Sequence, residues 1–382
     1  MFFLTPSYVK HGRQFLKDAR KLVAYKRDLL EPQLVEDTER EIGHLEVVLG
    51  SGNKEEIEAQ MHRVDDACAK IAKPLPDAGM RDNVEVFLVA IVIALAVRTY
   101  FLQPFTIPTG SMQPTLNGII GFADKETTNP LVQLFGAVFQ GRTYVNVIAK
   151  DNETLSLNDL SEETRYRFFT YTKLTTSTGN TYWIHAPKKG VRDILTPEML
   201  SPDGRFFGLK SVKAGEPLVR GYVNTGDHVF VDKFSYNFRK PERGEVFVFT
   251  TQGIPRLSGN GEPSQFYIKR LSGVPGDTLQ IKAPNLYING SIAQSEPFKR
   301  VMSGTFQHPV DGYQGYSNMP GFPLLFDPDS TVKINAGEYF ALGDNSYNSS
   351  DSRNWGVVPQ KNIMGRGVIV YWPFGSHWGF IH

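Results

Sequence analysis

Apolar and polar positions along the 382-residue chain change texture twice. Over the first 80 or so residues, apolar side chains recur at helical spacing in three series. Phe15, Leu16, Ala19, Leu22, Val23, Leu29 and Leu30 form the first, Val35, Thr38, Ile42, Leu45 and Leu49 the second, and Ile57, Met61, Val64, Cys68 and Ile71 the third. Breakers at Pro32, Gly50, Gly52, Pro74 and Pro76 separate them, so the pattern predicts two or three amphipathic helices packed as a hairpin or short coiled coil. The run Val84–Leu102 follows, with twelve consecutive apolar residues from Val86 to Val97. At 1.5 Å per residue, about 19 residues of helix just cross a hydrocarbon core of about 30 Å. A buried core helix would suit the uncharged centre equally well. The end charges Glu85 and Arg98 can snorkel, and Tyr100 and Phe101 suit an interface, which favours a span.

Beyond the apolar run the texture becomes that of strands. Thr143–Ala149, Phe168–Thr175, His228–Phe234, Glu245–Thr250, Thr278–Ile281, Leu286–Ile288 and Val368–Trp372 are rich in β-branched and aromatic residues, with Gly, Pro, Asn and Asp between them. Strands do not alternate with helices, so this region is expected to be mainly antiparallel β rather than doubly wound. Lys70, Lys73 and Arg81 precede the apolar run, whereas Arg98 is the one cation just after it. That bias orients the amino terminus to the cytoplasm and the β body outward. The carboxyl-terminal aromatics Trp372, Phe374, Trp378 and Phe380 suit either lipid headgroups or an ordinary hydrophobic seam.

Composition narrows the function. Lys plus Arg is 41 against 40 for Asp plus Glu, a net charge of +1, which argues against a nucleic-acid binder working through a basic surface. The mean hydropathy of −0.28 excludes many spans but not one. A single cysteine, Cys68, forbids an intrachain disulfide and a cysteine-built zinc site, and no metal framework stands out. The common phosphate-loop, dinucleotide, zinc-protease and Gly-x-Ser-x-Gly patterns are absent.

Two residues carry candidate chemistry. Ser111 lies in Pro108-Thr-Gly-Ser-Met-Gln-Pro114, a turn held between two prolines, where Gly110 leaves the serine N–H accessible. An ordinary turn serine reads the same way. Lys269 lies inside the apolar run Phe266–Leu271, and strand alternation puts it on the face of Tyr267 and Leu271, opposite Ile268 and Arg270. A lysine desolvated there loses basicity and can act as a base, although an edge lysine with its head in water fits too. With the eight histidines scattered, a Ser–Lys pair is the nucleophile and base that this sequence makes most readily.

Four blocks stand in order behind the apolar run: FTIPTGSMQPTL from Phe105, GDHVFVDKFSY from Gly226, YIKRLSGVPGD from Tyr267 and GDNSYNSSDSRNWGVVP from Gly343. Together they resemble the type I signal peptidases, membrane-bound Ser–Lys proteases that remove signal peptides from exported proteins. The resemblance implies Ser111 as nucleophile and Lys269 as general base, with Thr109, where the family usually has Ser, supplying a hydroxyl beside the Ser111 N–H for the oxyanion. It implies that Ser349 orients the lysine amine, that Asp351 and Arg353 pair to support the site, and that Gly343, Asp344 and Asn345 shape the loop. Phe105, Ile107, Met112, Leu116 and Ile268 fall where the family lines shallow apolar pockets for small residues. No cofactor and no metal are implied. The implied partners are preprotein signal peptides, membrane lipid and protein-export machinery, not nucleic acid. The implied place is a bacterial cytoplasmic membrane, a related organellar enzyme being the near alternative.

The expected organisation is a cytoplasmic helical module over 1–82, a transmembrane helix over 83–102 and an exported β catalytic body over 103–119 and 216–382. An insertion over 120–215, with a short helical piece near Pro197–Leu200, interrupts that body. The insertion and the amino-terminal helices depart from the family's shared core. Two rival readings are a catalytically degenerate membrane-anchored β scaffold and a soluble self-cleaving Ser–Lys repressor. Both Ser111 and Lys269 being present argues against the first, and the apolar run beside Ser111 against the second.

Overall fold

The computed structural model describes residues 6–51, 53–72, 78–124, 129–165, 169–199, 208–257, 265–304 and 315–382. They fall into two compact units that meet within the apolar helix, Met1–Val92 and Ile93–His382. In the first, the three apolar series become the helices Ser7–Lys26, Pro32–Ser51 and Lys54–Ala72. Their inward stripes meet in one core that includes Leu16, Val23, Leu45, Ile57, Val64 and Cys68. Pro32 stands at the break before the second helix and opens it, where a missing N–H costs nothing, whereas Gly50, expected as a breaker, lies inside that helix. Gly52, Pro74 and Pro76 lie outside the described residues.

The apolar run forms the helix Ala78–Tyr100, and its segment Asp82–Tyr100 has a mean hydropathy of 1.8 and none of it buried. It is long and apolar enough to cross a membrane, and the buried-core alternative does not fit an exposed helix. It ends two residues before the expected boundary. Leu102 already begins the first strand, Leu102–Thr106, because the peptide groups there pair with another strand.

The second unit is mostly antiparallel β, as the strand-rich texture implied. Its main sheet has the order Leu102–Thr106, His228–Asp232, Ile363–Trp372, Val246–Thr250, Phe266–Gly273, Glu338–Leu342, Val358–Pro359, with Gly379–Phe380 beside Ile363–Trp372. Val246–Thr250 is buried on both faces, which explains its unbroken apolar run. Val246 and Val248 face a core with Ile107, Met112 and Val229, while Phe247 and Phe249 face another with Leu271, Tyr339 and Trp355. A four-stranded sheet built on Thr278–Lys282 packs under the helix Glu296–Met302.

The region between Ile120 and Asn224 builds a core of its own from three small sheets and the helix Lys188–Leu195. The strand Pro217–Asn224 pairs with Ile120–Ala123 and Arg142–Ile148, and its Leu218, Val219 and Val223 enter that core. The satellite core therefore extends beyond the expected limit of 215. The helical piece near Pro197 is the short 3-10 turn Thr196–Met199, and Leu200 is outside the described residues.

The chain returns from the satellite directly against the serine turn. Ile107 N donates to Asp227 O at 2.9 Å, Asp227 N donates to Asn117 O at 2.9 Å, and Asn117 N donates to the Asp227 carboxylate at 2.6 Å. Gly226 makes this approach possible, since a Cβ there would lie 1.6 Å from the Ile107 carbonyl oxygen. Gly226→Ala must push one of two backbones aside, and it is expected to cost about 3 kcal/mol of stability. Chemical denaturation in detergent measures this, and a midpoint equal to the parent's would show that the approach is not tight.

Candidate active site

The serine turn is fixed from below by its own apolar residues. Ser111 is the centre of a 3-10 turn, Gly110–Met112, that follows the extended Thr109. Met112 and Leu116 are fully buried in the core with Ile107 and Val229, so the turn cannot lift without exposing them. From the other side Asn345 clamps it. Asn345 N donates to Ser111 O at 3.1 Å, and Asn345 Nδ2 donates to Gly110 O at 3.2 Å. Gly343 permits this contact, because a Cβ there would lie 2.6 Å from the Ser111 carbonyl oxygen and 2.1 Å from Ser349 Oγ.

Lys269 reaches the serine from the middle of Phe266–Gly273, opposite Phe247. Its amine donates to Ser111 Oγ at 2.8 Å and to Ile268 O at 3.1 Å, and it sits 5.5 Å over the Tyr267 ring. The side chain is only 5% exposed. Burial pushes its pKa from 10.5 down to about 8, against the opposing pull of the Asp351 and Asp344 carboxylates. The Thr109 and Ser111 hydroxyls are 3.4 Å apart. With the amine neutral, the same 2.8 Å contact lets the Ser111 O–H donate to nitrogen, an arrangement able to transfer a proton and free an oxygen nucleophile.

Two buried ion pairs frame the pair. Arg353 forks onto Asp351 through Nε and Nη2, each at 2.8 Å, and also donates to Ser317 O and Ser346 O. Asp351 further accepts from Gly343 N at 3.0 Å. The second pair was not anticipated in the sequence. Arg270 forks onto Asp344 at 2.7 and 2.6 Å, both side chains fully buried, and donates to Gly244 O and to Thr115 Oγ1. Thr115 in turn donates to Asp344, and Arg300 donates to Thr115. Asp344 therefore ties the lysine strand to the serine block. The signal was present: alternation already turned Arg270 to the side opposite Lys269, and a buried guanidinium needs a carboxylate.

The expected pocket residues divide. Ile107, Met112 and Leu116 are core, whereas Phe105 and Ile268 are only partly buried and reach the surface. Phe266, not anticipated, sets its exposed ring 5.3 Å from Phe105 beside them. Ser349 is buried in the same block, and its Oγ makes no hydrogen bond among the described residues. Among the described residues no group of His, Cys, Asp and Glu is placed to hold a metal.

Known proteins resemble this chain over part of its sequence. Just over half of the chain, residues 80–129 and 219–372, matches the family described as signal peptidase, peptidase S26. A signal peptidase I of Leptolyngbya laminosa is 33% identical over 152 residues, which cover 40% of this chain and 63% of that protein. The signal peptidase I of Pseudomonas aeruginosa is 31% identical over 181 residues, covering 40% and 61%. A probable thylakoidal processing peptidase 2 of Arabidopsis thaliana is 34% identical over 161 residues, covering 42% and 37%. The chain thus spans about three fifths of the length of these bacterial relatives. A crystal structure of a signal peptidase I from Enterococcus faecalis is 27% identical, covering 34% of this chain and 97% of that one at a TM-score of 0.24.

The Arg270–Asp344 fork generates a stability prediction. Asp344→Asn leaves a fully buried guanidinium without its counter-charge, at an expected cost of about 3–5 kcal/mol. A denaturation midpoint unchanged from the parent would show the pair to be dispensable.

Proposed function

The chain belongs to the signal peptidase family, peptidase S26, and on that premise we propose that it is a membrane-anchored serine endopeptidase that removes signal peptides from preproteins at small-x-small sites. The observation that carries this reading is the buried 2.8 Å contact between the Lys269 amine and Ser111 Oγ. Ser111 is the nucleophile and Lys269 the general base. The neutral amine takes the hydroxyl proton as Ser111 Oγ bonds to the scissile carbonyl carbon. The oxyanion faces the Ser111 N–H and the Thr109 hydroxyl. The ammonium then gives its proton to the leaving amine, the acyl-enzyme forms, and Lys269 next activates the water that releases the signal peptide. An extended substrate with small side chains needs only a shallow apolar surface, which Phe105, Ile268 and the neighbouring Phe266 supply.

Ser349, buried in the same block with a hydroxyl that makes no hydrogen bond among the described residues, is the residue assigned to orient the lysine amine. Asp351 with Arg353, and Gly343, Asp344 and Asn345, hold the loop around the pair. The helix Ala78–Tyr100 is the anchor, with the helices before it in the cytoplasm and the β body, including its satellite insertion, on the outer side of a bacterial cytoplasmic membrane. The family match omits 130–218, in keeping with an insertion. Lipid, and export machinery delivering the preprotein, are the neighbours this places beside it. A degenerate scaffold would have no need of a buried amine held on a hydroxyl.

Full-length protein in detergent, given a preprotein with a small-x-small site, should cleave it. Ser111→Ala, Lys269→Ala and Lys269→Arg should each lose about a thousandfold or more, since guanidinium does not deprotonate at working pH. Cleavage by any of the three at the parental rate sinks the mechanism. The base works unprotonated, so below the Lys269 pKa of about 8 the value of kcat/KM should fall about tenfold per pH unit, levelling above it. A plateau reaching down to about pH 6 would remove Lys269 from that role.

A further inference from the structure

The helix Pro130–Gln140 turns its apolar stripe away from the protein. Leu131, Leu134, Phe135 and Val138 stand at the i, i+3, i+4, i+7 spacing that ordinarily faces a core, yet they are 76%, 62%, 55% and 52% exposed. The helix is not loose. Asn129 caps it by accepting from Leu131 N, and Gly136 is pressed so closely on Tyr144 that a Cβ would lie 2.5 Å from the phenol oxygen. Its last turn is tied down by Trp372 Nε1, which donates to Val138 O at 2.8 Å, and by Phe374 N, which donates to Phe139 O at 2.9 Å. The outward face is therefore held outward. It contains no Asp, Glu, Lys or Arg.

What covers it follows from the sheet it is tied to. The strand Leu102–Thr106 leaves the membrane-length helix and pairs with His228–Asp232, and His228 pairs in turn with Trp372. The anchor and the exposed helix are thus fastened to one sheet, with Phe230 stacked on Tyr371 at 4.3 Å between them. Beside the helix, the rings of Phe139, Phe374 and Trp378 follow one another at 6.2 and 6.0 Å, the last two more than half exposed. Exposed aromatics at the rim of an apolar surface are the composition of a membrane interface. Eleven residues of helix measure about 16 Å, too short to cross about 30 Å of hydrocarbon but long enough to lie along its boundary.

We propose that Pro130–Gln140 is an interfacial helix, lying with its Leu131–Val138 stripe in the headgroup–acyl boundary of the membrane that the anchor crosses. Phe374 and Trp378 rest beside it. This rests on the membrane-anchored reading above and adds a second foothold, one supplied by the satellite region that the family match omits. The uncharged stripe binds by removing apolar area from water, so the contact is insensitive to salt.

Site-specific labels test it. In a Cys68→Ser background, which removes the one native cysteine, Leu134→Cys or Val138→Cys carries an environment-sensitive fluorophore. Val92→Cys reads the anchor, and the exposed Lys213→Cys serves as the aqueous reference. The full chain is reconstituted into phosphatidylcholine vesicles with or without brominated acyl chains. Labels at 134 and 138 should lose intensity to brominated lipid, as the label at 92 does, and resist iodide, while the label at 213 does the reverse. Quenching at 134 and 138 by iodide alone overturns the proposal. Protection from both quenchers overturns it as well, in favour of a protein cover. Because the label at 92 reports the anchor separately, a failed anchor and a failed interfacial helix give different results.

Discussion

Lowering the basicity of a lysine requires keeping its amine out of water, and the β body keeps Lys269 dry. The requirement is awkward, because the same burial that lowers its basicity would also reject a charged lysine altogether. Two carboxylates resolve the conflict. Asp351 and Asp344 stand near enough to hold the pKa at about 8 rather than letting it fall further, yet each is already forked onto its own arginine. Neither collapses onto the lysine. The amine is left facing a hydroxyl, a partner that accepts a hydrogen bond when the lysine is charged and donates one when it is neutral.

Those two forks also carry the architecture. Asp351–Arg353 closes the loop that begins at Gly343, and Arg270–Asp344 fastens that loop to the strand holding Lys269. Asn345 then reaches from the same loop to the two carbonyls of the serine turn. Serine, lysine and loop are therefore positioned by one another. The glycines at 226 and 343 act by absence, each admitting a neighbouring backbone that a methyl group would exclude.

Much of this was legible before the structure. Helical spacing marked the three amino-terminal helices because each buries one stripe, and β-branched runs such as Glu245–Thr250 marked strands. That Ser111 and Lys269 stand together was legible from ordered blocks, and the structure has them 2.8 Å apart. Arg270 was passed over because its carboxylate is 74 residues away, and no local pattern announces a partner at that distance. Ile107, Met112 and Leu116 were expected in a pocket from the family resemblance, which carries a position over but not how deep its side chain lies. Pro32 marked the break between the first two helices correctly, since a missing N–H is harmless at a first turn, whereas Gly50 did not break the second, which runs on to Ser51. The helix Pro130–Gln140 escaped notice because its residues look like core until their exposure is known.

The clamp on the serine turn has a consequence in time as well as in space. Ser111 and Lys269 are separated by 158 residues, and Asn345, which holds the serine turn, comes 76 residues after Lys269. A ribosome making this chain finishes the serine early, the lysine much later and the clamp later still. Until Asn345 and the Asp351–Arg353 fork have been made, serine and lysine exist with nothing to hold them in register. The 2.8 Å contact between Ser111 and Lys269 is therefore held in place only after the block that begins at Gly343 has been made.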